Sequence, residues 1–566
     1  MKQARLLFDL KFFVVFLVCF LFVAHAPLQC VDTDDWREEL PLAKRVATFG
    51  KVWGILKYFH PGVASGDIDW DQALIDALPC VKAAADFVSF NQELDNLIIQ
   101  AGDVDKATYN PNASAHPNEE LFKWLKRDPI LSDTVREKLI LVHTKFNPVE
   151  SYQMSYNEGG KVSFPNELDT WPPYFPDEGE RIVALFRFWN ILNYFNPYRG
   201  LIDENWDDVL EEFVEPFLNA QDGFEWAWPL AELAVRVDDT HCYVGNAFQY
   251  MNLGYFYAPV ETVYVEGKTV INRVWPELMQ PPGALQLGDV ILETKGQDID
   301  TFRASMMKYA HGSNDAVKNR QINDYVVRDK PITMHFKIER DGQIMDVTMQ
   351  GVDYYHIYWK KKYEDATQEM WKILPGNIGY VNMVMLKKED VPVVMPQLMN
   401  TEAIIFDVRQ RPNGTHYLLA DWLNKAPKKF SRFKRPVVNV PGAWYMETYF
   451  KVGRKNPDYY RGKVILLVNE WTQSHGEFAC MALQTAPDVT VVGSTTAGTD
   501  GDYIMVFLPG GNSFTFTGLG VYYPNGHPTQ QVGIVPDIFV RPTVEGIRRG
   551  RDEVLEKAIE FVESSK

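Results

Sequence analysis

Apolar residues recur at helical spacing through roughly the first 250 positions and at strand spacing beyond them. In residues 45–61, RVATFGKVWGILKYFHP, the positions Phe49, Val52, Trp53 and Leu56 share one helix face. The pattern returns 136 residues on, in residues 181–197, RIVALFRFWNILNYFNP. At the same offset Trp53 matches Trp189, Tyr58-Phe59 matches Tyr194-Phe195, Trp70-Asp71 matches Trp206-Asp207, and Asp103 matches Asp239. In each copy a proline, Pro61 or Pro197, stops the first helix, because it has no N–H and its ring clashes with the preceding turn. The spacing predicts a helical region over 31–250 with two related units, 45–103 and 181–239. Their aromatic stripes are core rather than a ligand cage.

Past about residue 255 the period shortens. Residues 262–265 and 269–271 alternate like a half-buried hairpin around Glu266-Gly267. Leu287-Gly288-Asp289-Val290-Ile291-Leu292 adds a turn and a strand, and Lys295-Gly296 a second turn before a helix. This resembles the L-x-G-D-x-I…G element of PDZ domains, which take up peptide C-termini by strand addition. A PDZ-like domain over 255–352 is the expectation; any small β-rich insert is the alternative. From Asn377 on, the apolar runs 403–408, 464–468 and 489–492 alternate with helical stretches. Strands buried on both faces read this way, so 370–566 is expected to be an α/β layered domain closed by an amphipathic helix at 548–562. The fold class is multidomain α+β.

The start of the chain adds a destination. Lys2, Arg5 and Lys11 precede twelve apolar residues, 12–23, and Ala24-His25-Ala26 forms an A-x-A cleavage site. This is the layout of a signal peptide over 1–26. The apolar run is short of the roughly 20 residues that a membrane span needs. An uncleaved anchor is the alternative, and Cys30 in Leu28-Gln29-Cys30 is a weak lipidation candidate. The expected place is outside the cytoplasm: periplasmic, cell-surface or secreted. With 57 basic and 75 acidic residues the chain is acidic, which argues against a nucleic-acid partner. The cysteines after the leader are scattered without C-x-x-C spacing, so buried free thiols are expected and a zinc site is not. No H-E-x-x-H, P-loop or dinucleotide glycine motif occurs. No metal or cofactor is expected.

The chemistry concentrates around Ser474, in Val468-Asn469-Glu470-Trp471-Thr472-Gln473-Ser474-His475-Gly476-Glu477. A buried strand ends at Val468 and a helix begins near Ser474. A hydroxyl there meets unpaired N–H groups and the positive end of the helix dipole, which suits a nucleophile and a nascent oxyanion. Serine is equally a favoured helix cap, and the G-x-S-x-G elbow is absent.

Five ordered blocks shift that balance: NIGY (377–380), IFDVRQRPNG (405–414), VNEWTQSHGE (468–477), VGSTTAG (492–498) and GIVPD (533–537). Together they resemble the tail-specific, or C-terminal-processing, serine protease family, across roughly residues 231–562. The resemblance implies a crotonase-like catalytic domain beside the PDZ-like one. It also implies Ser474 as nucleophile and the N–H groups of Gly414 and His475 as the oxyanion hole. One branch of the family uses a Ser–Lys dyad, but Thr499 stands where that lysine would be. The other, tricorn-like branch takes a histidine from an upstream D-x-H element, which Asp239-Thr240-His241 resembles. His241 is then the general base, Thr240 the hydroxyl residue before it, and Gln530 occupies the position of the orienting glutamate. Glutamine orients an imidazole but does not stabilise an imidazolium as a carboxylate does. Asp407 and Arg409 read as loop braces, and His416 and His527 as weaker base candidates.

The expectation is an exported serine endopeptidase acting on polypeptides through an acyl-enzyme, with no stable membrane span after leader removal. The oligomeric state stays open. The alternative is a catalytically weak or inactive relative that binds peptides, glycans or apolar ligands.

Overall fold

The computed structural model describes residues 39–104, 117–146, 150–158, 160–167, 172–245 and 247–564. The leader, Cys19 and Cys30 lie outside the described residues. Mixed helix and sheet build several packed bodies. Among the described residues no helix is long and apolar enough to cross a membrane.

Four helices organise the N-terminal body: α1 (Leu42–Phe59), α2 (Trp70–Ala83), α3 (Glu178–Phe195) and α4 (Trp206–Asn219). The chain leaves α1 and α3 just before Pro61 and Pro197, as their prolines require. Trp53 Nε1 donates to Trp70 O and Trp70 Nε1 donates to Trp53 O, at 2.9 and 3.1 Å. Trp189 and Trp206 make the same exchange at 2.6 and 3.2 Å. Buried indole N–H groups thus find backbone acceptors in the same way twice. The two pairs of helices also meet at matching positions. Gly50 lies against the Phe186 ring and Gly54 against the Asn190 amide, each 136 residues away. A Cβ on Gly54 would come within 1.9 Å of Asn190 Oδ1, so glycine lets the helices approach. Lys51 pairs with Asp207 at 3.1 Å, and Arg187 pairs with Asp71. The cation on the first helix of each pair therefore reaches the aspartate opening the second helix of the other.

In the middle of the chain β1 (Val260–Val265), β2 (Lys268–Val274), β3 (Val290–Thr294), β4 (Thr333–Arg340) and β5 (Gln343–Gln350) form an antiparallel sheet in the order β5-β4-β3-β2-β1. The expected hairpin is present: Val265 pairs with Lys268, and Glu266 and Gly267 both have positive φ, +51° and +72°. That is the backbone of a two-residue type I′ turn. Helix α5 (Asp315–Val326) precedes β4.

Strands β6 (Trp371–Leu374), β7 (Ile378–Asn382), β8 (Ala403–Asp407), β9 (Lys463–Val468), β10 (Val489–Gly493) and β13 (Ile538–Phe539) form the last large sheet, in that order. β7 to β10 and β13 run parallel, and their cores of Val, Ile and Leu are buried on both faces. Helix α6 (His475–Leu483) follows β9. A hairpin of β11 (Tyr503–Leu508) and β12 (Asn512–Thr517) leaves this sheet, and its Ile504, Val506, Leu508, Phe514 and Phe516 enter the core of the helical body. Helix α7 (Glu553–Ser564) closes the chain. The expected single helix over 548–562 is instead two, Val544–Arg548 and α7, parted at Gly550 with φ +65°. Cys242 and Cys480 are buried free thiols, but Cys80 is exposed on α2.

A buried ion cluster ties the helical body to the hairpin. Lys57 pairs with Asp71 and with Glu167 at 2.8 Å each, and Arg187 pairs with Glu167 at 2.5 Å while donating to Phe507 O at 2.8 Å. Removing one partner strands charge in a low dielectric. Arg187→Leu is expected to lower unfolding stability by roughly 3–5 kcal/mol, read as the shift in a urea unfolding midpoint at constant slope.

Candidate active site

The turn from β9 to α6 is tied down by Thr472, whose Oγ1 donates to Val408 O at 2.8 Å and accepts from Asn469 N at 3.1 Å. Ser474 follows with φ +54° and ψ −116°. Few L-residues adopt this conformation, which presents the side chain at the tip of a strand-to-helix turn. It is the geometry of a nucleophile elbow with Gly476 two residues after the serine but Thr472, not glycine, two before it. Two acceptors hold the Ser474 N–H there: Thr499 O at 2.9 Å and Glu477 Oε2 at 3.2 Å.

Glu477 is the knot beneath the turn. It is wholly buried. Its Oε1 accepts from Thr496 Oγ1 at 2.5 Å and Gly498 N at 2.7 Å, and its Oε2 from Thr499 N at 3.0 Å as well as Ser474 N. Burial pushes this carboxyl up to about 7, against four hydrogen bonds that favour the charged form. Only the S-x-x-E spacing of a capping box signals it in the sequence.

Among the described residues the Gly414 and His475 N–H groups donate to no protein acceptor. Gly414 has φ +73°, a backbone that favours glycine, and a Cβ there would come within 3.3 Å of His475 Nε2. Both N–H groups are free to receive an oxyanion. Nearby, Arg409 grips Asp407 and Asp552 through paired hydrogen bonds of 2.6–2.9 Å, fixing the strand end that leads to Gly414.

His241 arrives from the helical body. Its segment is stitched to β12 by the pairs Val244–Phe514 and Gly245–Ser513 and by Thr515 N donating to Tyr243 O at 2.8 Å. The His241 ring contacts Thr517 through Nδ1, 3.0 Å from Oγ1. Burial lowers its pKa, Asp239 opposes that shift, and Arg411 adds to it. The ring is therefore neutral near pH 7, as a base must be. Ser474 Oγ and the His241 ring are not hydrogen-bonded to each other. They converge on Thr499, whose O accepts from Ser474 N and whose Oγ1 lies 3.3 Å from Thr517 Oγ1.

The other expected residues sit as follows. Thr240 does not touch the imidazole: its Oγ1 donates to Ala497 O at 3.0 Å and lies 3.1 Å from Ser313 Oγ. The hydroxyl on the ring is that of Thr517, 276 residues away in sequence. Gln530 is buried beside the site, but its amide donates to Asp239 Oδ1 at 3.1 Å, not to His241. His416 is buried behind His475, ring centroids 5.1 Å apart, with neither ring nitrogen hydrogen-bonded, and burial lowers it to about 3. His527 lies on an exposed turn, its N–H bonded to Asn525 Oδ1.

Residues 377–540 match the family model for peptidase family S41. No curated protein matches the chain. Among solved structures, mature CPAF complexed with lactacystin shares 14% identity, covering 68% of this chain and 98% of that one with a TM-score of 0.53. A serine-to-alanine mutant of CPAF, also 14% identical, covers 68% and 97% with a TM-score of 0.55. At that identity the likeness is one of fold.

The Glu477 knot makes a sharp test. Glu477→Gln turns an NH₂ group toward two N–H donors. The expected cost is roughly 1–3 kcal/mol of stability, together with loss of the Ser474 conformation. A variant that keeps the wild-type thermal midpoint and the wild-type rate of Ser474 labelling by a fluorophosphonate would refute the knot.

Proposed function

Residues 377–540 match the peptidase family S41 model, and we propose that the chain is a serine-type peptidase of that family, an exported endopeptidase in which Ser474 is the nucleophile and His241 the general base. The observation that carries this reading is the strained Ser474 backbone at the start of α6, together with the Gly414 and His475 N–H groups that have no protein acceptor. In this mechanism His241 Nε2 takes the Ser474 hydroxyl proton as Oγ attacks the substrate carbonyl. The oxyanion binds the N–H groups of Gly414 and His475. His241 then protonates the departing amine, and water, deprotonated by the same ring, cleaves the acyl-enzyme to acid and free Ser474.

Two finer assignments belong to the same proposal. The antiparallel sheet of residues 255–352, with α5 beside it, is a PDZ-like domain that recruits or gates polypeptide substrates. Contacts between the two regions support a coupling: Arg320 of α5 donates to Gln473 Oε1 at 2.8 Å and to Glu470 O, and Asn314 Nδ2 donates to Thr496 O at 2.9 Å. The parallel sheet with its crossing helices is the crotonase-like catalytic domain. The pseudo-twofold pairing of Gly50 with Phe186, Gly54 with Asn190, and each cation with the other pair's aspartate supports the two-unit reading of the helical region. Export rests on the leader at 1–26.

One observation favours a binding role. A cavity of about 560 Å³ lies between the helical body and the middle sheet, lined by Tyr243, Tyr250, Tyr257, Tyr309, Tyr325 and Arg328 among others. A protein that only binds would show ligand-dependent thermal stabilisation without turnover.

Cleavage of unfolded casein by the purified chain decides between them. Ser474→Ala is expected to abolish cleavage and phosphonate labelling while the thermal midpoint holds. His241→Ala should lower kcat by at least about 10³-fold. Cleavage unchanged in the serine variant refutes the assignment, and a His241 variant within a few-fold of wild type means that another group is the base.

A further inference from the structure

Asp239 is a carboxylate 2% exposed at the centre of the site. Five donors converge on it. Its Oδ1 accepts from Thr499 Oγ1 at 2.8 Å, Thr517 Oγ1 at 2.9 Å, His241 N at 3.0 Å and Gln530 Nε2 at 3.1 Å, and its Oδ2 accepts from Thr517 N at 2.7 Å. Such a donor set suits an ionised, acceptor-only carboxylate.

Counting protons along this chain fixes the imidazole. A carboxylate offers no proton, so the hydrogen of the Thr517 hydroxyl, whose Oγ1 lies 2.9 Å from Oδ1, points to Asp239. The hydroxyl oxygen then has only lone pairs for His241 Nδ1 at 3.0 Å. Nδ1 must carry the hydrogen, and Nε2 is left with the free lone pair that a base needs. Thr499 Oγ1, which also donates to Asp239, cannot compete for Nδ1.

We infer that Asp239 is the acid that orients and supports His241, acting through the Thr517 hydroxyl. Asp239 is a positioning residue: it touches the base only by way of Thr517 and its own backbone contact. The inference rests on the proposed roles of Ser474 and His241 and deepens them. It also gives the amide at position 530 a purpose. A glutamate there would set a second carboxylate about 3.1 Å from Asp239, where like charges in a buried site repel. Gln530 donates instead, and its buried Oε1 has no hydrogen-bond partner. The acid that the tricorn-like pattern expects at 530 is thereby supplied from the residue two before His241.

The test uses the full chain, casein hydrolysis, and the pH dependence of kcat/KM. The charged groups acting on His241 are Asp239, Arg411 and Asp502, so Arg411 and Asp502 are left intact in every variant. Thr517→Val keeps the shape and removes the relay. Its kcat is expected to fall roughly 10²-fold with KM unchanged, and Thr517→Ser to restore it to within a few-fold. In Asp239→Asn, loss of the carboxylate should move the acidic limb of the profile to lower pH, because the charge that opposes the burial-lowered pKa of His241 is gone. Gln530→Glu should slow the enzyme. A Thr517→Val enzyme within threefold of wild type, or a Gln530→Glu enzyme faster than wild type, overturns the relay. If the wild type neither cleaves casein nor labels with the phosphonate, the peptidase reading itself fails. The relay is then read from ¹⁵N shifts of the His241 ring: an Nδ1–H tautomer lost in Thr517→Val upholds it, and an unchanged tautomer in that variant overturns it.

Discussion

Two buried carboxylates, Glu477 and Asp239, share one residue. Thr499 donates its N–H to Glu477 and its hydroxyl to Asp239, and its carbonyl accepts from the Ser474 N–H. A buried carboxylate without donors costs several kcal/mol, so each draws in every N–H and O–H within reach. Glu477 draws in the nucleophile turn and the 496–499 turn. Asp239 draws in the end of β12, the Gln530 loop and the backbone of His241. The strained φ and ψ of Ser474 persist because this network over-determines them. A lysine at position 499 would have removed the hydroxyl that joins the two halves. The threonine that stands in place of a lysine is thus what ties the Ser474 turn to the His241 segment.

How legible this was follows the range of each interaction. The β7–β10 strands were readable because parallel strands buried on both faces need unbroken apolar runs, and residues 403–406 and 464–468 are such runs. The hairpin around Glu266-Gly267 was readable because its turn demands positive φ at both positions. The break at Gly550 was a local signal that helical periodicity across it concealed. The hydroxyl beside the His241 ring was not readable. Nothing at Thr517 distinguishes it from any strand threonine, and its partner lies 276 residues back. Aligning Thr240 and Gln530 on a family pattern found the right neighbourhood: both are buried around Asp239 and His241. Their partners differ from that pattern, since Thr240 bonds Ala497 and Ser313 and Gln530 bonds Asp239.

Ser474 and His241 come from different bodies, and this conditions how the two meet. Ser474 rides on the parallel sheet. His241 and Asp239 extend from the helical body, whose core also holds the inner face of the β11–β12 hairpin. Thr517 ends that hairpin, so the residue linking His241 to Asp239 is positioned by helical packing as much as by the catalytic sheet. Arg187 reinforces the link, spanning from the Glu167 and Asp71 carboxylates to Phe507 O. Gly50 and Gly54, by letting α1 and α3 touch, set the position of the helix that carries Arg187. The helical region is accordingly part of what positions His241 and not an appendage to the sheet that holds Ser474. Loosening its packing should displace the imidazole before it unfolds the sheet that holds the serine, because each body keeps its own core.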